Sequence, residues 1–199
     1  MYKPSLLRLL LDYFCLFIVN QWYKILKRAE MLHNSRLILK LGSHGQGVGF
    51  YGTIRISAPE KMKLGNNVHI GNNAYIRADG GLTIGDNTHI SRNLVLYTLN
   101  HDYHGTRLPY DEHKVTKPVV IGRNVWIGMN VCILPGTNIG DGAIVGMGTV
   151  VNGDVPPMSI IGSQKWQMLK QRDIDHYTKL DHEQSYGGPS GFPFVIDKQ

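Results

Sequence analysis

Residues 121–156 divide into six lines of six, IGRNVW, IGMNVC, ILPGTN, IGDGAI, VGMGTV and VNGDVP, each opening on an aliphatic residue: Ile121, Ile127, Ile133, Ile139, Val145 and Val151. A helix repeats its buried face near 3.6 residues and a strand at 2, so neither element alone gives a strict period of six. Gly follows four of these residues, at Gly122, Gly128, Gly140 and Gly146. The position four after each aliphatic residue reads Val125, Val131, Thr137, Ala143, Thr149 and Val155, all small or β-branched. One large and one small inward position per six residues describe a short strand that turns a corner and begins again, the mark of a solenoid. The same register recurs at Leu64, Ile70 and Ile76, then, after two extra residues, at Ile84, Ile90 and Leu96. Val68, Ala74, Gly80 and Thr88 follow four later, with Leu94 and Asn100 less regular. A β-sandwich would vary in strand length and spacing. The expectation is therefore an all-β solenoid, with its first coil starting ahead of Leu64, near Val48 and Ile54.

The 199 residues, 42% of them hydrophobic, are one domain's worth of chain, enough to bury a core without disulfide staples. They divide into an apolar and basic helical segment (1–40), the solenoid (41–162) with a loop at 102–120, and a C-terminal helix and flexible tail (163–199). Cys15 and Cys132 are not expected to pair, and no cleavable secretory signal is evident, which points to a reducing cytoplasm. A net charge of +6 favours phosphorylated ligands or an anionic membrane, and no Lys/Arg run with interleaved aromatics argues for nucleic acid.

From Leu6 to Val19 the chain is apolar except for Arg8 and Asp12, and Lys24, Lys27 and Arg28 follow. Crossing a bilayer takes roughly 20 predominantly apolar residues, so this shorter, charge-bearing run predicts no span. Arg8 and Asp12, at i and i+4, can pair and leave a wide apolar face. That face either packs on the open end of the solenoid or makes peripheral contact with a membrane through residues 5–28. Beyond Pro156 a helix over Ser163–Tyr177 is predicted, with Ser163 as its N-cap.

Solenoids expose their interruptions, so function is sought where the period breaks. The largest break, Asp102 to Val120, contains Tyr103, His104, Arg107, Tyr110 and His113, side chains suited to binding hydroxyls. Asp79 lies just before the smaller break that precedes Ile84. Trp126 ends its line of six and should face outward, where it needs a cover such as a ligand or a neighbouring subunit.

Three segments carry a family resemblance: Asn100-His101-Asp102 at the start of the loop, Ile121-Gly122-Arg123-Asn124-Val125-Trp126-Ile127-Gly128 after it, and Leu134-Pro135-Gly136. Over about Leu64 to Gly162 the chain resembles the hexapeptide-repeat acyltransferases, in particular the maltose, galactoside and polysaccharide O-acetyltransferases. The resemblance implies a left-handed parallel β-helix of triangular section and a homotrimer with coenzyme A lying between adjacent β-helices. It implies transfer of an acetyl group from acetyl-CoA to a sugar hydroxyl, with no metal, and His101 as general base. A hydroxyl is a poor nucleophile at neutral pH, and imidazole is the side chain best matched to accepting its proton there and releasing it again. His104 is the second candidate for the base, and Asp102 or Asp79 for orienting the ring. Asp79, Asn100, Tyr103, His104 and Arg107 are the expected acceptor contacts. Trp126, Gly128, Gly146, Gly148 and Lys165 are the expected coenzyme A contacts, although Gly162-Ser163-Gln164-Lys165 lacks the Pro-Ala usual before that lysine.

Two other functions stay open at this level. One is a scaffold that binds a partner or a nucleotide-sugar without transfer. The other is a zinc carbonic anhydrase, another hexapeptide family that Arg77 to Asn87 resembles. His69 and His89 offer two ligands, but no His follows Ile127-Gly128 as the third.

Overall fold

Each line of six forms one side of a three-sided rung, because its two inward residues meet their counterparts from the rungs above and below. In the computed structural model, which describes residues 6–163, 168, 170–187 and 193–194, the strands stack in parallel on three faces. The first face holds Ser43–His44, Met62–Leu64, Leu82–Ile84, Val119–Ile121, Asn138–Ile139 and Asp154–Val155. On the second lie Gly49–Phe50, His69–Ile70, His89–Ile90, Trp126–Ile127, Ile144–Val145 and Ile160–Ile161. The third consists of Ile54–Ser57, Ala74–Arg77, Val95–Tyr97, Cys132–Ile133 and Val150–Val151. Leu64, Ile84, Ile121 and Ile139 thus align in one column, and Ile76, Leu96, Ile133 and Val151 in another.

All twelve aliphatic positions of the period are buried, as are the small residues four after them from Val125 to Val155. Leu94, less regular in sequence, is fully buried, whereas Asn100 is exposed. Each buried Ile or Leu contributes about 1.5–3 kcal/mol relative to an exposed one. The Thr members cost little, since Thr88, Thr98, Thr137 and Thr149 donate their hydroxyls to the carbonyls of Gly122, Arg77, Leu134 and Gly146.

The corners use the left-handed backbone region. Asn67, Asn73, Asn87, Asn93, Asn124 and Asn130 occupy it with φ of 54, 61, 56, 63, 56 and 57°, where asparagine is the best-tolerated residue after glycine. Their amides form ladders between rungs, Asn67 to Asn87 at 3.0 Å, and Asn73 to Asn93 to Asn130 at 3.1 and 2.7 Å.

Two details differ from the sequence reading. Val155 pairs beside Ile139, so it fills the large position of the first face; the last side is two residues short of six, with the turn made at Gly153, φ +85°. The C-terminal helix is Ile174–His182, not Ser163–Tyr177. Asp173 caps it, accepting the His176 N–H at 2.9 Å, while the described residues 168 and 170–173 are not helical.

The chain clusters into two compact units, 1–163 and 164–199. In the second, the segment expected to be a flexible tail contributes a strand pair, Tyr186–Gly187 against Pro193–Phe194. In the first, helix α1 (Leu6–Ile38) is 33 residues, about 50 Å, long. Only its C-terminal end packs on the β-helix. Leu37 and Leu41 join the core, buried Asn34 donates to the carbonyls of Phe50 (3.3 Å) and Gly52 (2.7 Å), and Thr53 donates to Glu30 at 2.8 Å. Further toward the N-terminus the helix presents a broad apolar surface. Leu10, Leu11, Tyr13, Phe14, Leu16, Phe17, Ile18 and Val19 are all exposed. Among the described residues no helix is long and apolar enough to cross a membrane.

Candidate active site

The repeat is interrupted after Leu99–His101, which pairs antiparallel with Lys114–Thr116 to raise a ribbon off the corner of the β-helix. The twelve residues between these strands, 102–113, form the projecting loop. A cleft of about 460 Å³ lies at the ribbon's foot, lined by Asn100, His101, Asp102, Tyr103, His104, Val115, Lys117, Leu134, Pro135 and Asn152. One wall is therefore loop and ribbon; the other is the rigid corner of the next two rungs.

The His101 imidazole is stacked on the Tyr110 ring, with centroids 3.8 Å apart and planes inclined by 21°. Its Nδ1 is buried and has no hydrogen-bond partner among the described residues, which leaves Nε2 as the nitrogen for a ligand. The backbone N–H of His101 donates to the Asn100 side chain at 2.9 Å. Asp102 accepts the His104 N–H at 2.9 Å, so it braces the turn rather than the imidazole. Tyr103 and His104 are tilted against each other, centroids 4.3 Å apart, at the cleft's rim.

The loop is held by one carboxylate. Asp111, its side chain 1% exposed, accepts from the Thr106 N–H (2.7 Å), the Thr106 hydroxyl (3.1 Å), the His113 N–H (2.9 Å) and His113 Nδ1 (2.9 Å). These donors, the Thr106 N–H foremost, hold its pKa well below the usual carboxylate range. Arg107 pairs with Glu112 across the loop. Neither Arg107 nor Asp79 lines the cleft. The Asp79 carboxylate is engaged by Arg77 Nε (3.1 Å) and the Ser57 hydroxyl (2.7 Å), and its pKa is lowered to about 2, chiefly by the Arg77 hydrogen bond.

Two hexapeptide family models match this framework: the bacterial transferase hexapeptide (six repeats) over residues 118–153, and the hexapeptide repeat of succinyl-transferase over 62–98. A putative lipopolysaccharide biosynthesis O-acetyl transferase of Escherichia coli is 31% identical over 150 residues, covering 71% of this chain and 69% of the relative. The chain belongs to the hexapeptide-repeat acetyltransferases. The galactoside O-acetyltransferase of E. coli is 35% identical over 133 residues, 62% of this chain and 65% of that one. A hexapeptide-repeat acetyltransferase of Vibrio cholerae, solved with acetyl coenzyme A, superimposes with a TM-score of 0.58 at 26% identity, over 73% of this chain and 89% of that one. The chain thus spans less than two thirds of the galactoside enzyme's length, and 57% of that of a Staphylococcus aureus putative acetyltransferase 37% identical to it.

In this member of the family a second groove, about 440 Å³, runs along the second face, lined by Ser91, Trp126, Gly128, Met129, Ile144, Val145, Gly146 and Met147. Trp126 is 57% exposed there, the outward placement its position in the line of six predicts. Gly128 is required by the rung above, since a Cβ would come within 2.7 Å of the Met147 nitrogen. Gly148, φ +75°, lies one residue beyond the groove. Lys165 falls outside the described residues.

His69 and His89, the two ligands a zinc site would draw on, lie side by side on successive coils, their rings edge to face with centroids 4.6 Å apart and planes at 75°. Both His69 nitrogens are already engaged, by the Tyr51 hydroxyl (2.9 Å) and by Asn67 (2.8 Å), and the next residue in the column is Trp126. Burial, and then the nearby His89, lower the pKa of His69.

Sequence reasoning missed four contributors to the site. Lys117 lies over Gly136, where a Cβ would meet its Cδ at 3.1 Å; its only signal is its place before Pro118. Asn152, from a rung above the ribbon, was read only as a repeat position, and the apolar pair Leu134-Pro135 carried the family resemblance in sequence but no expectation of lining the cleft. Asp111 gave no signal, because its partners are set by the loop's path.

Proposed function

We propose that this protein is an acyl-CoA-dependent O-acetyltransferase that moves an acetyl group from acetyl-CoA to a sugar hydroxyl, in the biosynthesis of a surface polysaccharide. The observation that carries the reading is His101, which lines a cleft at the largest break in the solenoid and has its Nδ1 buried. The acceptor oxygen attacks the thioester carbonyl while its proton passes to Nε2 of His101. The tetrahedral intermediate then collapses, the carbon–sulfur bond breaks, and the coenzyme A thiolate takes the proton from the imidazolium. Asn100, Tyr103 and His104 contact the acceptor at the cleft; Lys117 and Asn152 join them.

Within one chain the His101 cleft and the Trp126 groove share no lining residue, which supports a homotrimer in which a neighbouring copy's groove holds the coenzyme beside this cleft. Trp126, Gly128 and Gly146 then contact the pantetheine arm, with Gly148 next to them.

The site of action in this reading is the cytoplasm, at the inner face of the membrane. Leu10, Phe14, Phe17, Trp22 and Leu26 on α1 are 50–62% exposed, and Lys24, Lys27 and Arg28 lie beside them, the combination that favours an anionic lipid surface. A lipid-linked glycan precursor is accordingly the first acceptor to try.

Thiol release from acetyl-CoA on adding candidate sugars tests the activity. Turnover is expected with a carbohydrate acceptor and a fall of about a hundredfold or more in His101→Ala. Near-normal kcat in His101→Ala with an inactive His104→Ala moves the base to His104; no release with any acceptor leaves a scaffold. Flotation of the full chain with phosphatidylglycerol vesicles tests the membrane contact, which a protein that stays in the soluble fraction refutes.

A further inference from the structure

The Nδ1 of His101 is where an acid–base histidine ordinarily finds its support: a carboxylate or carbonyl that fixes the tautomer and stabilises the imidazolium. Neither carboxylate nearest in sequence supplies it. Asp102 braces the loop turn, Asp111 is filled by Thr106 and His113, and Nδ1 remains buried and unpartnered. The ring instead lies flat on Tyr110, at 3.8 Å between centroids. A cation held over an aromatic face is attracted by the ring's negative π cloud, most strongly where water is excluded.

We infer that Tyr110 is a positioning residue for His101: its ring fixes the imidazole plane with Nε2 toward the cleft and stabilises, through its π face, the imidazolium formed during transfer. This rests on the reading of His101 as the base. Tyr110 is itself 47% exposed, so it is not a core residue that happens to touch a histidine. It is held where it is by its neighbour in sequence. Asp111 gathers the Thr106 and His113 ends of the loop around one buried carboxylate, with the Arg107–Glu112 pair on either side of it. Tyr110 therefore projects from the best-anchored point of the loop, directly onto the imidazole. The phenol hydroxyl has no part in this; the ring does.

Tyr110→Phe keeps the aromatic face and Tyr110→Leu keeps only apolar cover, so the pair separates stacking from packing. Two readouts are used on wild type and both variants: the imidazole proton chemical shifts of His101 in the free protein, assigned against His101→Ala, and kcat and KM by thiol release. In wild type and Tyr110→Phe the His101 ring protons are expected upfield, shielded by the stacked ring, and in Tyr110→Leu that shielding is lost. Tyr110→Phe is expected within about twofold of wild-type kcat, and Tyr110→Leu about tenfold lower with KM for acetyl-CoA unchanged. Wild-type kcat in Tyr110→Leu, loss of activity in Tyr110→Phe equal to that in Tyr110→Leu, or unshielded His101 protons in wild type would each overturn the inference. Absence of thiol release by the wild-type protein would instead remove the acetyltransferase reading, and the proton shifts would still decide whether the stack exists.

Discussion

The rungs and the loop that interrupts them are stabilised in opposite ways. In the rungs each residue is one of many equivalents: Ile127 is buried between Ile90 and Val145, which are buried between their own counterparts. In the loop from 102 to 113 four hydrogen bonds converge on Asp111. Redundant apolar stacking makes a rigid frame, whereas a polar loop without a core of its own depends on a single fully satisfied group. The contrast separates stability from activity: damage to a rung is felt by the whole molecule, and damage to Asp111 by the site alone.

Three measurements break or sharpen that division. Ile127→Ala, in the middle of the stack, is expected to cost about 2–5 kcal/mol in denaturant unfolding, with the loss shared by neighbouring rungs. A cost below about 1 kcal/mol would mean that the rungs collapse around cavities more freely than close packing allows. Asp111→Ala is expected to leave the unfolding midpoint nearly unchanged while the amide protons of Thr106 and His113 lose protection and kcat falls about tenfold, because Tyr110 is no longer held over His101. A large drop in global stability would show the loop to be part of the frame. The smallest effect is expected at Asp79. Its carboxyl is held at about 2 against an ordinary 3.8, so its contribution to stability is complete above about pH 4 and is lost as pH falls toward 2. Wild type and Asp79→Asn should then differ in midpoint at pH 5 and converge near pH 2; a constant difference would place the ion pair with Arg77 outside the folding equilibrium.

The same contrast decides how much of the molecule was legible in its sequence. The frame was readable because its rule is local and repeated: Ile121, Ile127 and Ile133 must face inward for the same reason at every turn. Asn at the corners belongs to that rule as well, recurring at Asn67, Asn73, Asn87 and Asn93, although apolar periodicity alone did not bring it out. Val155 was misplaced because a register slip at Gly153 leaves the alternation of large and small residues intact. The place of His101 at the cleft was legible because it stands at the end of a repeat, where position in sequence and position in space still correspond. Arg107 and Asp79, expected as acceptor contacts, do not line the His101 cleft, since a charged group in an irregular segment takes the nearest opposite charge, Glu112 in one case and Arg77 in the other. The buried anchor of the loop and the aromatic face beneath the imidazole depend on a chain path that no period encodes. The C-terminal helix was placed too early because Ser163 and Asp173 are equally good caps by residue type; Asp173 accepts the His176 N–H, and the residues that Ser163 would cap lie outside the described ones.

A stack of parallel strands has no built-in last member: each outer rung offers the same open edge that admitted the one before it, and identical chains can add end to end into a fibre. This chain terminates itself at both ends. The side chain of Asn34, with Leu37 and Leu41, covers the first rung. At the other end the shortened side puts Pro156 and Pro157, which have no N–H to donate, directly after the last strand of the first face. The imperfect final turn is thus a barrier to end-to-end addition at that edge, and restoring two residues there would remove it.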